Sequence, residues 1–158
     1  MCGESASVDT EKANEWFQGL SERTQDYGPK DIFSVDETGL FFKFMLNKTF
    51  TFKGEKNSKE RVTVLVGTNM DGSEKLPLLM ISKSSKPRCF KSVRSLLLQC
   101  ESNKKAWMTS KLFENWLVIL DKKLFSSNRK VLLFIDNCMA HSKTPKLKCI
   151  KISTFLPT

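Results

Sequence analysis

The chain has 158 residues, of which 40% are hydrophobic and 27% charged, a composition typical of one folded domain and not of a disordered segment. Its 26 Lys and Arg residues exceed its 17 Asp and Glu residues, so the formal net charge is +9. No apolar run approaches the ~20 residues of a bilayer-spanning helix, and the first residues lack a secretory pattern. The charge fits a polyanionic partner such as nucleic acid, although a solvated, lysine-rich surface would look the same.

Five cysteines are spread along the chain, and no two of them are spaced as a C-x-x-C pair. Because a zinc site usually supplies its ligands as closely spaced pairs, this spacing does not predict one. The odd number predicts free, mostly buried thiols in a reducing compartment, the cytoplasm or the nucleus. The five are Cys2, Cys89, Cys100, Cys138 and Cys149.

The first predicted element is a helix that ends before Gly28 and Pro29. Its apolar face, at helical spacing, consists of Ala13, Trp16, Phe17 and Leu20. A short strand follows at 32–35. Residues 41–52 are aromatic and predict an irregular extended stretch, and the charged residues 53–61 predict a loop.

A hairpin is predicted from two β-branched and apolar runs, 61–69 and 75–82, on either side of Asp71-Gly72. This dipeptide favours a tight primed turn in which both central residues have positive φ. Pro77 indicates that its position in the second strand faces away from a partner strand. Residues 84–88 predict a basic loop.

A second helix is predicted with Thr109 or Ser110 as its N-cap. Its apolar residues at helical spacing are Leu112, Phe113, Trp116, Leu117, Leu120 and Leu124. The continuous apolar run 131–135 predicts a strand covered on both faces, and 149–156 predicts a last extended segment. The order helix, strand, hairpin, helix, strand, strand indicates a mixed α/β sheet with helices packed on it. We expect the three tryptophans, Trp16, Trp107 and Trp116, to lie in the core.

Two carboxylates follow predicted strands: Asp36 after 32–35, and Asp136 after 131–135. Acids at the ends of neighbouring buried strands can project into one crevice and bind a hard divalent cation such as Mg²⁺ or Mn²⁺. An aspartate in this position is also a common turn former or helix cap. The pattern by itself leaves both interpretations open.

A family resemblance adds to this pattern. The run DIFSVDETGLF at 31–41 resembles the block around the first catalytic acid of Tigger/pogo-like DDE transposases and their host-derived relatives, the jerky-type proteins and centromere protein B. The run FIDNCMAH at 134–141 resembles the block of the second acid. Further blocks resemble the family in the same order, at 52–55, 58–64, 69–75, 86–90, 103–109 and 149–157.

The resemblance implies an RNase H-like fold: a mixed α/β sheet with flanking helices, truncated at its C-terminal side. Residues 1–28 would be a helical lead-in, and 29–158 a partial DDE endonuclease domain. Asp36 and Asp136 would be the catalytic acids and would bind Mg²⁺ or Mn²⁺ weakly. The third acid is expected beyond Thr158, so we expect this chain alone neither to cut nor to join DNA strands. Glu37 should point away from the site if its strand continues.

Basic residues concentrate in two predicted loops, and in the family such surfaces would face DNA. A solvated charged face is the alternative for the same pattern. The predicted DNA-binding residues are Lys53, Lys56, Lys59, Arg61, Lys83, Lys86 and Arg88. We expect weak, sequence-independent DNA binding, because the family's helix-turn-helix modules are not found in this sequence.

The favoured function is therefore a transposase-derived DNA-binding domain of DDE endonuclease type, located in the nucleus, without complete catalytic activity. One alternative is a non-enzymatic nuclear interaction protein that uses the inherited fold. The other is an active metal-dependent nuclease. The single histidine, His141, has two open roles: a hydrogen bond near the metals or a phosphate, or a structural contact that closes the turn after the strand.

Overall fold

The computed structural model describes residues 10–41, 61–85, 98–141 and 144–155. Within these ranges the chain forms two α-helices and six β-strands. The helices are α1 (Thr10–Thr24) and α2 (Ser110–Ser126), and the strands are β1 (Ile32–Phe41), β2 (Arg61–Asn69), β3 (Leu78–Ser82), β4 (Leu98–Ser102), β5 (Val131–Ile135) and β6 (Ile150–Thr154). No helix in the described part of the chain is long and apolar enough to cross a membrane.

The six strands form one mixed sheet in the order β4-β3-β2-β1-β5-β6. Strand β1 is parallel to β5, β5 to β6 and β3 to β4, whereas β2 and β3 are antiparallel. This confirms the predicted mixed α/β sheet. The chain divides into two compact units, unit 1 within residues 1–36, 67–76 and 109–158, and unit 2 within 37–66 and 77–108.

In unit 1, helix α1 covers part of the sheet. Trp16 and Leu20 pack against a buried cluster of Ile32, Leu132 and Phe134. All five residues of β5 are buried, as predicted for a strand covered on both faces. The core position predicted for Phe17 is wrong: it is 62% exposed and meets the edge of the Trp16 ring, because only a narrow stripe of α1 faces the sheet.

Helix α2 begins where the capping pattern predicted. The Thr109 hydroxyl oxygen accepts a hydrogen bond from the Leu112 amide at 3.4 Å, which satisfies one of the amides that the first turn leaves without an intrahelical partner. The apolar face of α2 is buried through Phe113, Trp116, Leu117, Leu120 and Leu124. The predicted helix is therefore confirmed together with its N-cap and its buried face.

One buried residue of α2 is charged. Asp121 is 8% exposed, and its Oδ1 accepts hydrogen bonds from the backbone amides of Lys148 at 3.1 Å and Cys149 at 2.8 Å. The carboxylate thus satisfies two backbone donors just before β6. The apolar pattern of α2 gave no signal for this contact.

The β2–β3 hairpin is confirmed, but its turn is not the predicted primed turn. The Gly72 amide donates to the Asn69 carbonyl at 3.1 Å, so the two central residues are Met70 and Asp71. Gly72 has a φ of 73°, whereas Asp71 is not among the described residues with positive φ. Local side chains favour this longer loop: Asn69 Oδ1 accepts from the Glu74 amide at 2.9 Å, and Asp71 Oδ1 accepts from the Ser73 amide at 3.0 Å.

The hydrogen bonds from Ser73 lower the pKa of Asp71 below its ordinary value of 3.8, and the larger contribution comes from the Ser73 hydroxyl at 2.6 Å. A lowered pKa in the folded state contributes stability above the unfolded pKa and loses it as pH falls. We expect Ser73→Ala to raise the pKa of Asp71 towards 3.8 in an NMR titration of the carboxyl carbon. Ser73→Thr keeps the hydroxyl and serves as the control. An unchanged pKa in Ser73→Ala would show that the hydroxyl does not set it.

Unit 2 contains the paired residues of β2 and β3 and an added strand. In the antiparallel pair, Thr63 lies opposite Ile81 and Leu65 opposite Leu79, and all four side chains are almost completely buried. Strand β4 adds to β3 in parallel. Strand β4 was not predicted from the sequence, because its five residues, all only partly buried, show neither apolar alternation nor a continuous apolar run.

The tryptophans and cysteines differ from expectation at several positions. Trp116 is 4% exposed and Trp16 packs on the core, but Trp107 is 52% exposed, so its predicted core position is wrong.

The described cysteines are free thiols, as expected; Cys149 is buried, whereas Cys100 is partly buried and Cys138 exposed. The expectation of a buried thiol is therefore confirmed for Cys149 and wrong for Cys138.

Candidate metal site and DNA-contacting residues

The two predicted acids, Asp36 and Asp136, lie just beyond paired residues of the parallel strands β1 and β5. Ile32 lies opposite Leu132 and Ser34 opposite Phe134. Asp36 and Asp136 each follow the paired residues Ser34 and Phe134 by two positions, so the same register, if continued past the end of β5 at Ile135, would set the two acids opposite each other on strands about 4.8 Å apart. Strand β1 does not end at residue 35 as predicted but continues to Phe41, so Asp36 is a residue within the strand.

The start of this strand pair is fixed by Arg129, which precedes β5. Its guanidinium contacts Asp31, just before β1, and Glu74, in the hairpin turn, each with an N–O distance of 2.5 Å. A third hydrogen bond goes to the carbonyl of Lys30. The hydrogen bonds to Glu74 and then Asp31 raise the pKa of Arg129. A planar guanidinium with three separate acceptors holds the β1–β5 register at the end opposite to the acids.

The carboxylate of Asp136 is held by the only histidine. Asp136 Oδ1 and His141 Nδ1 form a hydrogen bond within unit 1. The His141 ring is buried, and its centroid lies 4.0 Å from that of Phe113 on α2. The Asp136 side chain is 51% exposed, so it keeps access to solvent while a buried partner orients it. The structural role that the sequence left open for His141 is present, because its backbone amide donates to the Cys138 carbonyl at 2.9 Å and closes the turn after β5. The other role, a hydrogen bond near the metals or a phosphate, stays a prediction.

The donor set fits a hard cation that keeps several waters. Asp36 is exposed and Asp136 is half-exposed, and both supply carboxylate oxygens, the ligands that Mg²⁺ and Mn²⁺ prefer. Among the described residues, no group of three or more His, Cys, Asp or Glu side chains is placed to hold a metal ion. Two carboxylates completed by water are a donor set that such a cation accepts. Because β1 continues through Glu37, strand alternation directs that side chain to the other face.

Of the seven predicted DNA-binding residues, the structure describes two, both in unit 2. Arg61 begins β2, and its guanidinium carbon lies 5.4 Å from the ring centroid of Trp107. Lys83 follows β3 and is exposed. The other predicted residues, Lys53, Lys56, Lys59, Lys86 and Arg88, lie outside the described ranges.

A family model described as "DDE superfamily endonuclease" matches residues 59–158, more than half of the chain. The chain belongs to this DDE endonuclease family. The resemblance that the sequence blocks indicated is thereby confirmed. Asp136 lies inside the matched residues and Asp36 precedes them.

Curated relatives agree with this membership. The chain is 44% identical over 158 residues to mouse Tigger transposable element-derived protein 4, covering 96% of this chain and 31% of that protein. It is 37% identical over 146 residues to CENP-B homolog protein 2 of Schizosaccharomyces pombe, covering 88% and 28%. It is 31% identical over 138 residues to human major centromere autoantigen B, covering 84% and 23%. The chain thus spans less than a third of the length of these relatives.

Among solved structures, a Mos1 mariner paired-end complex with Mn is similar to this chain over 84% of this chain and 36% of the Mos1 chain, at a TM-score of 0.48 and 14% identity.

In this DDE endonuclease chain, the site residues that were not predicted from the sequence are those that hold other residues in position. The Asp136–His141 contact had a weak signal, a histidine five residues after the acid. Nothing in the pattern before β5 distinguished Arg129 from any other charged turn residue.

Proposed function

We propose that this chain is a transposase-derived DNA-binding domain in which Asp36 and Asp136 form a divalent-cation site. The observation that carries the proposal is the parallel β1–β5 register, in which the two acids follow the paired residues Ser34 and Phe134 by two positions on each strand. Family membership supports the assignment of these acids to metal binding. The proposal does not depend on the activity or the partners of the longer relatives.

Asp36 and Asp136 would hold Mg²⁺ or Mn²⁺, which would supply Lewis-acid chemistry at phosphate oxygens. The other residues have positional roles. His141 keeps the carboxylate of Asp136 in one orientation, and its burial against Phe113 prevents the imidazole from turning away. Arg129 fixes the relative position of the two strands on which the acids lie.

DNA contact is assigned to the seven predicted basic residues, of which Arg61 and Lys83 are described. Lys and Arg side chains neutralise phosphates and release condensed counterions, so binding of this kind is sequence-independent and weakens with salt. The net charge of +9 supports the same partner. The ancestry and the DNA partner also favour the nucleus as the location.

Titration of a labelled random-sequence duplex between ~50 and ~200 mM salt tests the DNA contact. The logarithm of the affinity should fall linearly with the logarithm of salt concentration, by about 0.9 per phosphate neutralised. The double variant Lys83→Gln with Lys86→Gln should reduce the slope by about 2, since two phosphate contacts are removed.

The matched control is Lys122→Gln with Lys123→Gln, which removes the same charge from two exposed positions on α2. This control should leave the slope close to that of the unmodified chain. Equal slope changes in the two double variants would show a diffuse effect of net charge and contradict the assignment. Salt-insensitive binding, or strong preference for one duplex sequence, would overturn the proposed function itself.

A second candidate is a non-enzymatic chromosomal protein, and the names of two relatives favour it. One is the human major centromere autoantigen B. The other is ARS-binding protein 1 of Schizosaccharomyces pombe, 35% identical over 149 residues and covering 90% of this chain and 27% of that protein. Nicking of supercoiled DNA with Mg²⁺ or Mn²⁺ tests both candidates, because neither predicts it. Metal-dependent nicking that both Asp36→Ala and Asp136→Ala abolish would identify a nuclease and contradict both; DNA binding without Mn²⁺ binding at the two acids favours the non-enzymatic candidate.

A further inference from the structure

Two cations lie close to an exposed tryptophan in unit 2. Trp107 is 52% exposed, the guanidinium carbon of Arg61 lies 5.4 Å from its ring centroid, and the ammonium nitrogen of Lys105 lies 5.7 Å from it. Exposed aromatic side chains flanked by basic groups are the surfaces on which single-stranded nucleic acids stack their bases. Trp107 therefore provides an aromatic ring for a base, and Arg61 and Lys105 provide positive charges for the phosphates.

The loop that carries Trp107 is held by Asn103. The side-chain amide of Asn103 donates to the Trp107 carbonyl at 2.6 Å. Its Oδ1 accepts from the amides of Lys105 at 3.1 Å and Trp107 at 3.2 Å. One side chain thus fixes the backbone on both sides of the aromatic ring, which reduces the conformational entropy lost when a ligand stacks on it.

The residue before Trp107 carries backbone strain. Ala106 is fully buried and has a φ of 53°, a conformation that non-glycine residues rarely adopt. Its carbonyl accepts a 2.7 Å hydrogen bond from the buried hydroxyl of Thr63. Strain of this kind persists where the surroundings hold it and is concentrated at functional sites. Here the strained turn buries Ala106 and leaves the next side chain, a tryptophan, in solvent.

We propose that Trp107 is a stacking contact for an unpaired DNA base, with Arg61 and Lys105 bound to the phosphates beside that base. The inference rests on the proposed function only in that DNA is the partner, and it does not involve Asp36 or Asp136. Phosphate contacts alone bind DNA without regard to its bases. Stacking on Trp107 adds a preference for single-stranded DNA.

The experiment compares two labelled single strands of equal length and charge, dT12 and a twelve-residue abasic strand, by fluorescence anisotropy. Only dT12 offers bases for stacking. The unmodified chain should bind dT12 about 5- to 150-fold more tightly than the abasic strand. Trp107→Ala should bring this ratio close to one, and Trp107→Phe should retain most of it, because a phenyl ring also stacks.

Phe125→Ala is the matched control. Phe125 is 61% exposed and also contacts one cation, the ammonium of Lys148 at 5.2 Å from the ring centroid, but it lies on the last turn of α2. Its removal should leave the ratio of dT12 to abasic affinity unchanged. A ratio near one in the unmodified chain, or an equal ratio in Trp107→Ala, would overturn the proposal and leave Trp107 a structural contact for Arg61 and Lys105.

Tryptophan emission supplies a second measurement that does not depend on the alanine variant being folded. Stacking on dT12 should quench the unmodified chain more than Trp107→Phe, while the two bind dT12 with similar affinity. Equal quenching would assign the contact to another tryptophan and overturn the proposal. The random duplex provides a separate readout: loss of salt-dependent duplex binding contradicts the proposed function, whereas loss of the dT12 preference contradicts only the assignment to Trp107.

Discussion

Asp121→Ala is expected to lower the free energy of unfolding by about 2–4 kcal/mol, a large share of the stability of a small domain. The buried carboxylate accepts hydrogen bonds from the amides of Lys148 and Cys149, and alanine leaves both donors without that acceptor. The Cys149 amide is in a buried hydrogen bond, so water does not readily replace the lost partner. Urea unfolding followed by circular dichroism measures the change.

Two variants of α2 serve as controls for this prediction. Asp121→Asn keeps one carbonyl oxygen at the same position and should cost less than alanine, because that oxygen can still accept from the Cys149 amide. Lys122→Ala changes the next, exposed residue of the same helix and should alter stability by no more than about 0.5 kcal/mol. If Asp121→Ala and Lys122→Ala had the same small effect, the carboxylate would not be holding the start of β6.

The second large effect concerns the acid pair. Mn²⁺ should broaden the NMR signals of the residues around Asp36 and Asp136, because the paramagnetic ion relaxes nearby nuclei. Combining Asp36→Asn with Asp136→Asn should remove this broadening, since neutral amides are poor ligands for a hard cation. His141→Phe keeps the packing on Phe113 and removes only the hydrogen bond to Asp136. It should weaken Mn²⁺ binding by about tenfold or more, as loss of a residue that orients a ligand does.

Asp71→Asn, which removes one carboxylate elsewhere on the chain, is the control for the metal experiment. Asp71 is an exposed carboxylate in the hairpin turn, and its replacement should leave the broadening around Asp36 and Asp136 unchanged. Broadening that persists in the double variant would mean that the ion binds elsewhere, and the acid pair would then be no metal site.

The elements that the sequence predicted correctly are those with strong local patterns. Helix α2 has both a capping threonine and a full apolar face, β5 has an unbroken apolar run, and β2 is rich in β-branched residues. In each case local propensity and burial favour the same structure, so the local preference agrees with the tertiary contacts.

The errors occurred where a distant contact decides the structure. Strand β1 continues across Gly39, where the Arg61 guanidinium comes so close that a Cβ would lie only 2.9 Å from its nitrogen. A glycine in a run of polar residues predicts a strand end, whereas here it permits this close approach. Trp107 is exposed because Asn103 and Thr63 fix a strained turn, and neither hydrogen bond can be read from spacing.

The candidate site was likewise predicted from the sequence only in part. The apolar runs before Asp36 and Asp136 were visible, but only the family resemblance distinguished metal binding from turn formation at these acids. The orienting contact from His141 and the guanidinium contacts of Arg129 depend on residues brought together by the fold. The basic residues outside the described ranges stay a prediction from composition and resemblance.

The β1–β5 pairing also constrains how the chain is made. Ile32 is paired with Leu132, so the apolar residues of β1 leave the ribosome long before their partner strand is synthesised. The β2–β3 hairpin, whose strands are close in sequence, can form in the meantime. Completion of unit 1 waits for β5, and pairing between such distant segments is slow and leaves strand edges open to aggregation. Nascent chains stalled before residue 131 should therefore depend on chaperones, and release of β5 should be the step that ends this dependence.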